Sequence, residues 1–268
     1  MGCIYCNPRG SGTGAHSEGI SISGQVDSGI RFLSRGFRCR KFIAYFQAFT
    51  NTYAPVAELA RIYDEALQRP EIVGLAIGTR PDCVPDPVLD LLERTARDRL
   101  VWVEYGIQSV HGTTLNRIRR GHGPEAFFDA VTRTRQRNIP VVAHLILGLP
   151  GESPEDMVET ARAVADSEVW GVKLHPLYII RGTALDRMYQ RGLYSPLTEE
   201  QARDLTLAVL GSLPSDMVIH RMTSDPHPED LSAPTWMLDR RGVRQRLEQA
   251  MDDRDFRQGM DYCTPPSD

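Results

Sequence analysis

The sequence predicts an α/β fold, a parallel sheet with helical crossovers that closes into a partial (β/α)6-type barrel. Three observations carry this. Short β-rich runs alternate with amphipathic runs about half a dozen times, which favours parallel strands joined by helices. No G-x-G-x-x-G turn follows any strand-like run, which disfavours a dinucleotide-binding sheet. Polar residues gather at the C-terminal tails of the strands, where barrels of the TIM kind keep their chemistry.

The elements read in order. Residues 41–49, KFIAYFQAF, are β-rich and run into the turn-like TNTYAP. Pro55 opens a helix with apolar residues at helical spacing. EIVGLAIGTR (71–80) reads as a buried strand and DPVLDLLERTARDR as the next helix. LVWVEYGIQS (100–109) is a strand; GTTLNRIRRG and PEAFFDAVTRTRQRN are helices. IPVVAHLILGLPG (139–151) is a strand ending in glycines. Ser153, with Asp156 three residues on, caps the helix after it. GVKLHPLYII (171–180) reads as one strand, TEEQARDLTLAVLGSLP as a helix and DMVIHRMTSD (216–225) as the last strand. RRGVRQRLEQAMDDRD is a terminal helix, with a disordered tail expected after it.

A chain of 268 residues, 41% hydrophobic and 25% charged, can bury a large core without crosslinks. The pattern predicts a core over 1–225 and a helical extension with a tail over 226–268. A net charge of -4 does not call for nucleic acid, though a local basic groove is compatible with it. No apolar run reaches membrane-spanning length, and no basic-then-apolar leader opens the chain. Five irregularly spaced cysteines argue against a disulfide framework and for a reducing cytoplasm. There, a CxxC such as Cys3–Cys6 is a metal or redox element more often than a bridge.

The motifs GCIYC, YFQAFTNTYAP, GTRPDCVPD, VEYGIQS, RRGH, HLILGLPGE and GVKLH stand in this order at strand ends. Together they resemble the radical S-adenosylmethionine (SAM) superfamily, in particular bacterial proteins with an Elp3/MiaB/NifB-type core. The resemblance runs from Gly2 to about Asp225. It implies an enzyme in which three cysteines hold a 4Fe–4S cluster. An external electron donor reduces the cluster, SAM is cleaved to a 5′-deoxyadenosyl radical, and the radical acts on an RNA, protein or small-molecule substrate.

By the same resemblance, Cys3 and Cys6 match the last two cluster cysteines, and Tyr5 matches the aromatic that lies against adenine. Gln47, Thr50 and Asn51 stand where the superfamily often has a glycine-glycine-glutamate run for the methionine amino group, a run this chain lacks. Glu104, Gln108 and His144 match ribose-facing positions. Arg120 matches a partner for the methionine carboxylate, and Gly148 a close backbone approach to adenine.

The departure is at the start. The family's first cysteine lies about a dozen residues before the CxxC, so the resemblance implies an N-terminal truncation that also removes the first barrel strand. Cys39 is expected at the opposite end of the barrel. Cys83 reads as a buried small residue on the catalytic side, and Cys263 as inert. RGSGTG reads as the loop leaving the cluster, within a cluster loop over 1–15. The RTRQR run, 133–137, reads as a solvated helix face, and His175 and His220 as core or site histidines. Two other readings remain open from the residues alone. One is an acid–base hydrolase or lyase using Glu104, His144 and His175. The other is a zinc- or partner-binding barrel with Cys3, Cys6 and His16 as ligands.

Overall fold

The computed structural model describes residues 2–7, 10 and 19–263. His16 and most of the RGSGTG run lie outside the described residues. The first helix, α1 (Ile22–Phe37), is capped by Ser21, whose hydroxyl accepts from the Gly24 amide. Then come β1 (Phe42–Phe46), α2 (Val56–Leu67), β2 (Ile72–Thr79), α3 (Asp86–Ala96) and β3 (Leu100–Gln108). α4 (Gly112–Arg117) and α5 (Pro124–Arg135) lead to β4 (Val141–Leu147). α6 (Pro154–Asp166) opens on a capping box in which Ser153 and Asp156 satisfy each other's amides. β5 (Gly171–Pro176), β6 (Ile179–Ile180), α7 (Ala184–Gln190), α8 (Glu199–Gly211), β7 (Val218–Arg221), β8 (Leu231–Ala233) and α9 (Arg240–Asp253) follow.

Six strands form one sheet in the order β1-β2-β3-β4-β5-β7. The printed pairs β1–β2, β2–β3 and β5–β7 are parallel. Strands added one after another with helices between them give the connectivity of a partial (β/α)6 barrel. All six expected strands are present. One expectation is corrected: 171–180 is two strands. β5 stops at Pro176, which lacks an amide to continue a ladder, and β6 turns to pair antiparallel with β8. The tail is corrected too. Gly259 and Asp261 donate their amides to Leu210 and Gly211 at the end of α8, so 256–262 is docked on that helix.

The chain divides into two compact units. One holds residues 10, 19–106 and 129–142 of those described. Its core is built from Tyr63, Leu75, Ile77, Leu89 and Leu92, all fully buried. At Gly74 on β2, an added Cβ would lie 2.2 Å from the Leu100 carbonyl oxygen of β3, so only glycine lets the strands meet there. The RTRQR run also lies in this unit and is not simply solvated. Arg133 reaches Asp129, Asp86 and the Val84 carbonyl, and Arg137 reaches Asp90, an ion-pair seam against α3.

The other unit holds residues 2–7, 107–128 and 143–263. Ile4, only 6% exposed, belongs to a core cluster with Leu115, Ile118, Ile146, Leu149 and Leu185.

Candidate functional site

The cysteine turn is tied into its unit by backbone and side chain. The Ile4 amide donates to the Ile118 carbonyl at 3.0 Å, and the Ile4 carbonyl accepts from the Leu185 amide at 2.9 Å. Asn7 donates to Asp230 at 3.1 Å. Between these ties Cys6 closes a turn, its amide donating to the Cys3 carbonyl. The result is a half-buried Cys3 beside an exposed Cys6.

Their electrostatics differ. The Cys6 thiol donates to the Cys3 sulfur, and Arg120, only 8% exposed, points Nη1 at Cys3 Sγ from 3.9 Å. The Cys6 bond and the Arg120 charge hold the Cys3 thiol down to about 5, against the opposing effect of burial. The bond that Cys6 donates pushes its own thiol well up. Tyr5 is raised by burial and then by the Cys3 charge. Its buried hydroxyl faces the Cys3 sulfur.

Gln108 ends β3 in the left-handed region, φ 69°, a conformation that costs a non-glycine residue of order 1 kcal/mol or more. Its Oε1 is buried and unpartnered. The next residues are braced. Ser109 donates to Glu152, accepts from the His111 amide, and is fully buried. Val110 donates its amide to Thr160 of α6. Burial raises the Glu152 carboxyl, opposed by its bond from Ser109. His144 and His175, on β4 and β5, bring their rings to 5.2 Å. His220 packs edge-on against Trp170 at 4.8 Å.

Gly148 has φ 89°, and all its sides are engaged within its unit. Its amide meets Met157 Sδ at 3.1 Å, its carbonyl accepts from the Tyr194 hydroxyl at 2.7 Å, and a Cβ would touch Leu197 at 2.9 Å. In this structure, then, the glycine is demanded by Leu197.

In the other unit, Gln47 and Thr50 are half-buried in the loop after β1. Asn51 commits its side-chain amide to two carbonyls, Phe46 at 3.0 Å and Gly78 at 2.8 Å. Glu104, 1% exposed, accepts from Tyr45 at 2.7 Å and from Trp102 at 2.9 Å. Tyr45 and Trp102 were not among the expected site residues. Trp102 stands two positions before Glu104 on one strand face, a signal the sequence does carry. Cys83 is half-buried, its thiol raised by burial and by the Asp82 charge.

Two thiols, one of them lowered beside a buried cation, are a donor set that suits a soft iron–sulfur centre. Among the described residues, no third His, Cys, Asp or Glu completes a trio with them. The trio that does occur is His111, Asp156 and Glu159. There His111 Nε2 is already bonded to the Asp156 carbonyl at 2.9 Å and Asp156 caps α6, so these atoms serve the helix start. The orphaned Gln108 Oε1 is the kind of buried polar atom that a polar cofactor would satisfy.

Comparison with known proteins bears on both units. Residues 1–164 match the family model described as the Radical SAM superfamily, and residues 169–253 match the Radical_SAM C-terminal domain. The uncharacterized protein YtqA of Bacillus subtilis is 35% identical over 96% of this chain and 80% of its own length. A tRNA uridine(34) acetyltransferase of Dehalococcoides mccartyi is 29% identical over 76% of this chain and 44% of its own length. The solved Elp3 of Methanocaldococcus infernus superposes with a TM-score of 0.75 at 20% identity, covering 92% of this chain and 62% of that one. At that identity the likeness speaks to the fold. This chain spans less than two thirds of both the acetyltransferase and the solved Elp3.

Proposed function

The chain belongs to the radical SAM superfamily, and from that premise we propose that it is a radical SAM enzyme in which Cys3 and Cys6 supply two ligands of a 4Fe–4S cluster. The carrying observation is the cysteine turn: a CxxC whose half-buried Cys3 sulfur lies 3.9 Å from the Arg120 guanidinium. When bound and reduced by an external donor, such a cluster supplies the electron that splits SAM to a 5′-deoxyadenosyl radical. The chain's part is to ligate and to orient. Arg120 offsets negative charge at Cys3. Tyr5 offers a ring and a hydroxyl beside the cysteines, and Gln108 offers a buried acceptor. His144, paired with His175, offers polar nitrogens on the strand face. Gln47, Thr50, Asn51, Glu104 and Gly148 are carried as candidate cofactor contacts, with Glu104 already holding two protein donors.

For substrate class we propose RNA. Support comes from the tRNA uridine(34) acetyltransferases among the relatives, one 29% identical over 76% of this chain. No helix among the described residues is long and apolar enough to cross a membrane. A reducing cytoplasm suits five free cysteines.

The test is anaerobic iron–sulfur reconstitution followed by reduction in the presence of SAM. With the third cysteine supplied, the expected result is a brown protein that yields 5′-deoxyadenosine and loses both iron and product in the C3A/C6A variant. Stoichiometric zinc with no iron, and no SAM cleavage, would favour the zinc-binding barrel and overturn the proposal.

A further inference from the structure

The search outside the cysteine site leads to the far end of α1. Residues 31–41 read RFLSRGFRCRK. Arg31, Arg35, Arg38, Arg40 and Lys41 are all exposed, and none makes an ion pair among the described residues. The one carboxylate within residues 19–41, Asp27, is held bidentate by Arg69 at 2.6 and 2.7 Å. Five cations against one committed acid stand out in a chain whose net charge is -4.

The arrangement is as telling as the count. Arg31 and Arg35 are spaced i, i+4 on one face of α1, and Arg38, Arg40 and Lys41 follow beyond the helix end, where Arg38 is a left-handed cap with φ 54°. Phe32 and Phe37 stand in the same short segment and are 73% and 68% exposed. No residue of α1 is buried. The helix is held to its unit by Asp27–Arg69 and by the Ser23 amide on Glu65 at 2.9 Å. Complementing the helix dipole explains a cation in the last turn. It does not explain two phenyl rings left in water beside five exposed cations.

We propose that this strip is a docking surface for single-stranded RNA, with the arginines on successive phosphates and the phenyl rings stacking on bases. Cations tracking a backbone, interleaved with aromatic faces, are what sequence-tolerant strand binding requires. An acidic protein would use the cations but has no planar bases for the rings. The strip lies before the first residue of β1, at the opposite end of that strand from Gln47, Thr50 and Asn51. It would therefore hold a part of the RNA other than the part that reacts. The identity of the partner rests on the RNA reading above, whereas the surface itself does not.

The test uses the full chain without cluster or SAM, so its outcome is separate from that of SAM cleavage. Binding of a fluorescent unstructured RNA oligonucleotide is followed by anisotropy against salt. The R31A/R35A/R38A variant should lose most affinity, and the slope of log K against log salt should fall by about 2. The F32S/F37S pair, which removes no charge, should lose about tenfold or more. Unchanged RNA affinity in either variant overturns the proposal. So does equal binding of polyglutamate that ignores F32S/F37S, which would mark an acidic-protein surface. Reductive SAM cleavage should be unaltered in both variants.

Discussion

Tyr45 on β1 donates its hydroxyl to Glu104 on β3 at 2.7 Å, passing over the intervening strand at Gly78. Gly78 is the in-register neighbour of Glu104, and a Cβ there would lie 3.7 Å from the Tyr45 ring. That is ordinary van der Waals contact, so an alanine there would lie against the ring without displacing it. Trp102 holds the second carboxyl oxygen. Replacing Tyr45 with Phe removes one donor to a buried carboxyl oxygen, which should cost about 1–3 kcal/mol in urea unfolding. E104A, which removes the acceptor of both bonds, should cost more than Y45F. Equal stability of Y45F and the parent would refute this account of the contact.

Gly74 makes a sharper steric prediction. Its missing Cβ would sit 2.2 Å from a backbone carbonyl oxygen, that of Leu100, which no rotamer can move. At Gly78 the nearest atom is 3.1 Å away. G74A should therefore cost about 3 kcal/mol or more and G78A about 1 kcal/mol. Thermal melts of the two variants check the order, and a G78A less stable than G74A contradicts it.

The ties on Ile4 predict a local effect. I4P removes the amide that bonds Ile118 and places a ring in the core position. Amide hydrogen exchange across residues 3–6 should accelerate by at least about tenfold, because local opening frees these amides. Far-UV circular dichroism should stay that of the parent. Parent-like exchange rates would mean the turn holds without the clamp.

Glu152 carries a pH signature. Burial raises its carboxyl in the folded state, so the folded chain binds that proton more tightly than the unfolded chain does. Its contribution to stability improves as pH falls from neutral through the raised value, and levels off below the ordinary carboxylate range. Asp27, Asp156, Asp186, Asp204 and Asp239 are lowered and lose stability on acidification, so the readout is a difference. The stability of the parent relative to E152Q should rise on acidification across that window. A pH-independent difference would remove the buried-carboxyl account.

The sheet was legible because strands and crossover helices differ in hydrophobic period, and each of the six strands fills one β-rich run. What escaped has physical reasons. GVKLHPLYII carries no turn-like run, so its break shows only in Pro176. The helix α7 has seven residues, too few for a periodic pattern, although Thr183 and Asp186 mark its start. The docked tail forms through backbone bonds to Leu210 and Gly211, Gln258 on the Pro214 and Met217 carbonyls, and Phe256 packed by Leu207 and Leu247, single long-range contacts that no local period encodes. The candidate residues were legible as residue types at strand ends; that Cys3 lies beside Arg120 is a contact the spacing did not announce, the two being 117 positions apart. The braces were not legible: Tyr45 and Glu104 are 59 positions apart, and Ser109 and Glu152 are 43 apart.

The Ile4 clamp also sets a schedule. One of its two partners is Leu185, made 181 residues later. At about 5–20 residues per second, the ribosome needs roughly 10–40 s to travel from one to the other. Throughout that interval Cys3 and Cys6 belong to an emerging chain that lacks their final geometry. If the turn holds a cluster as proposed, a metal arriving in that interval would meet two ordinary thiols, and only after α7 is made and seated would it meet the folded turn.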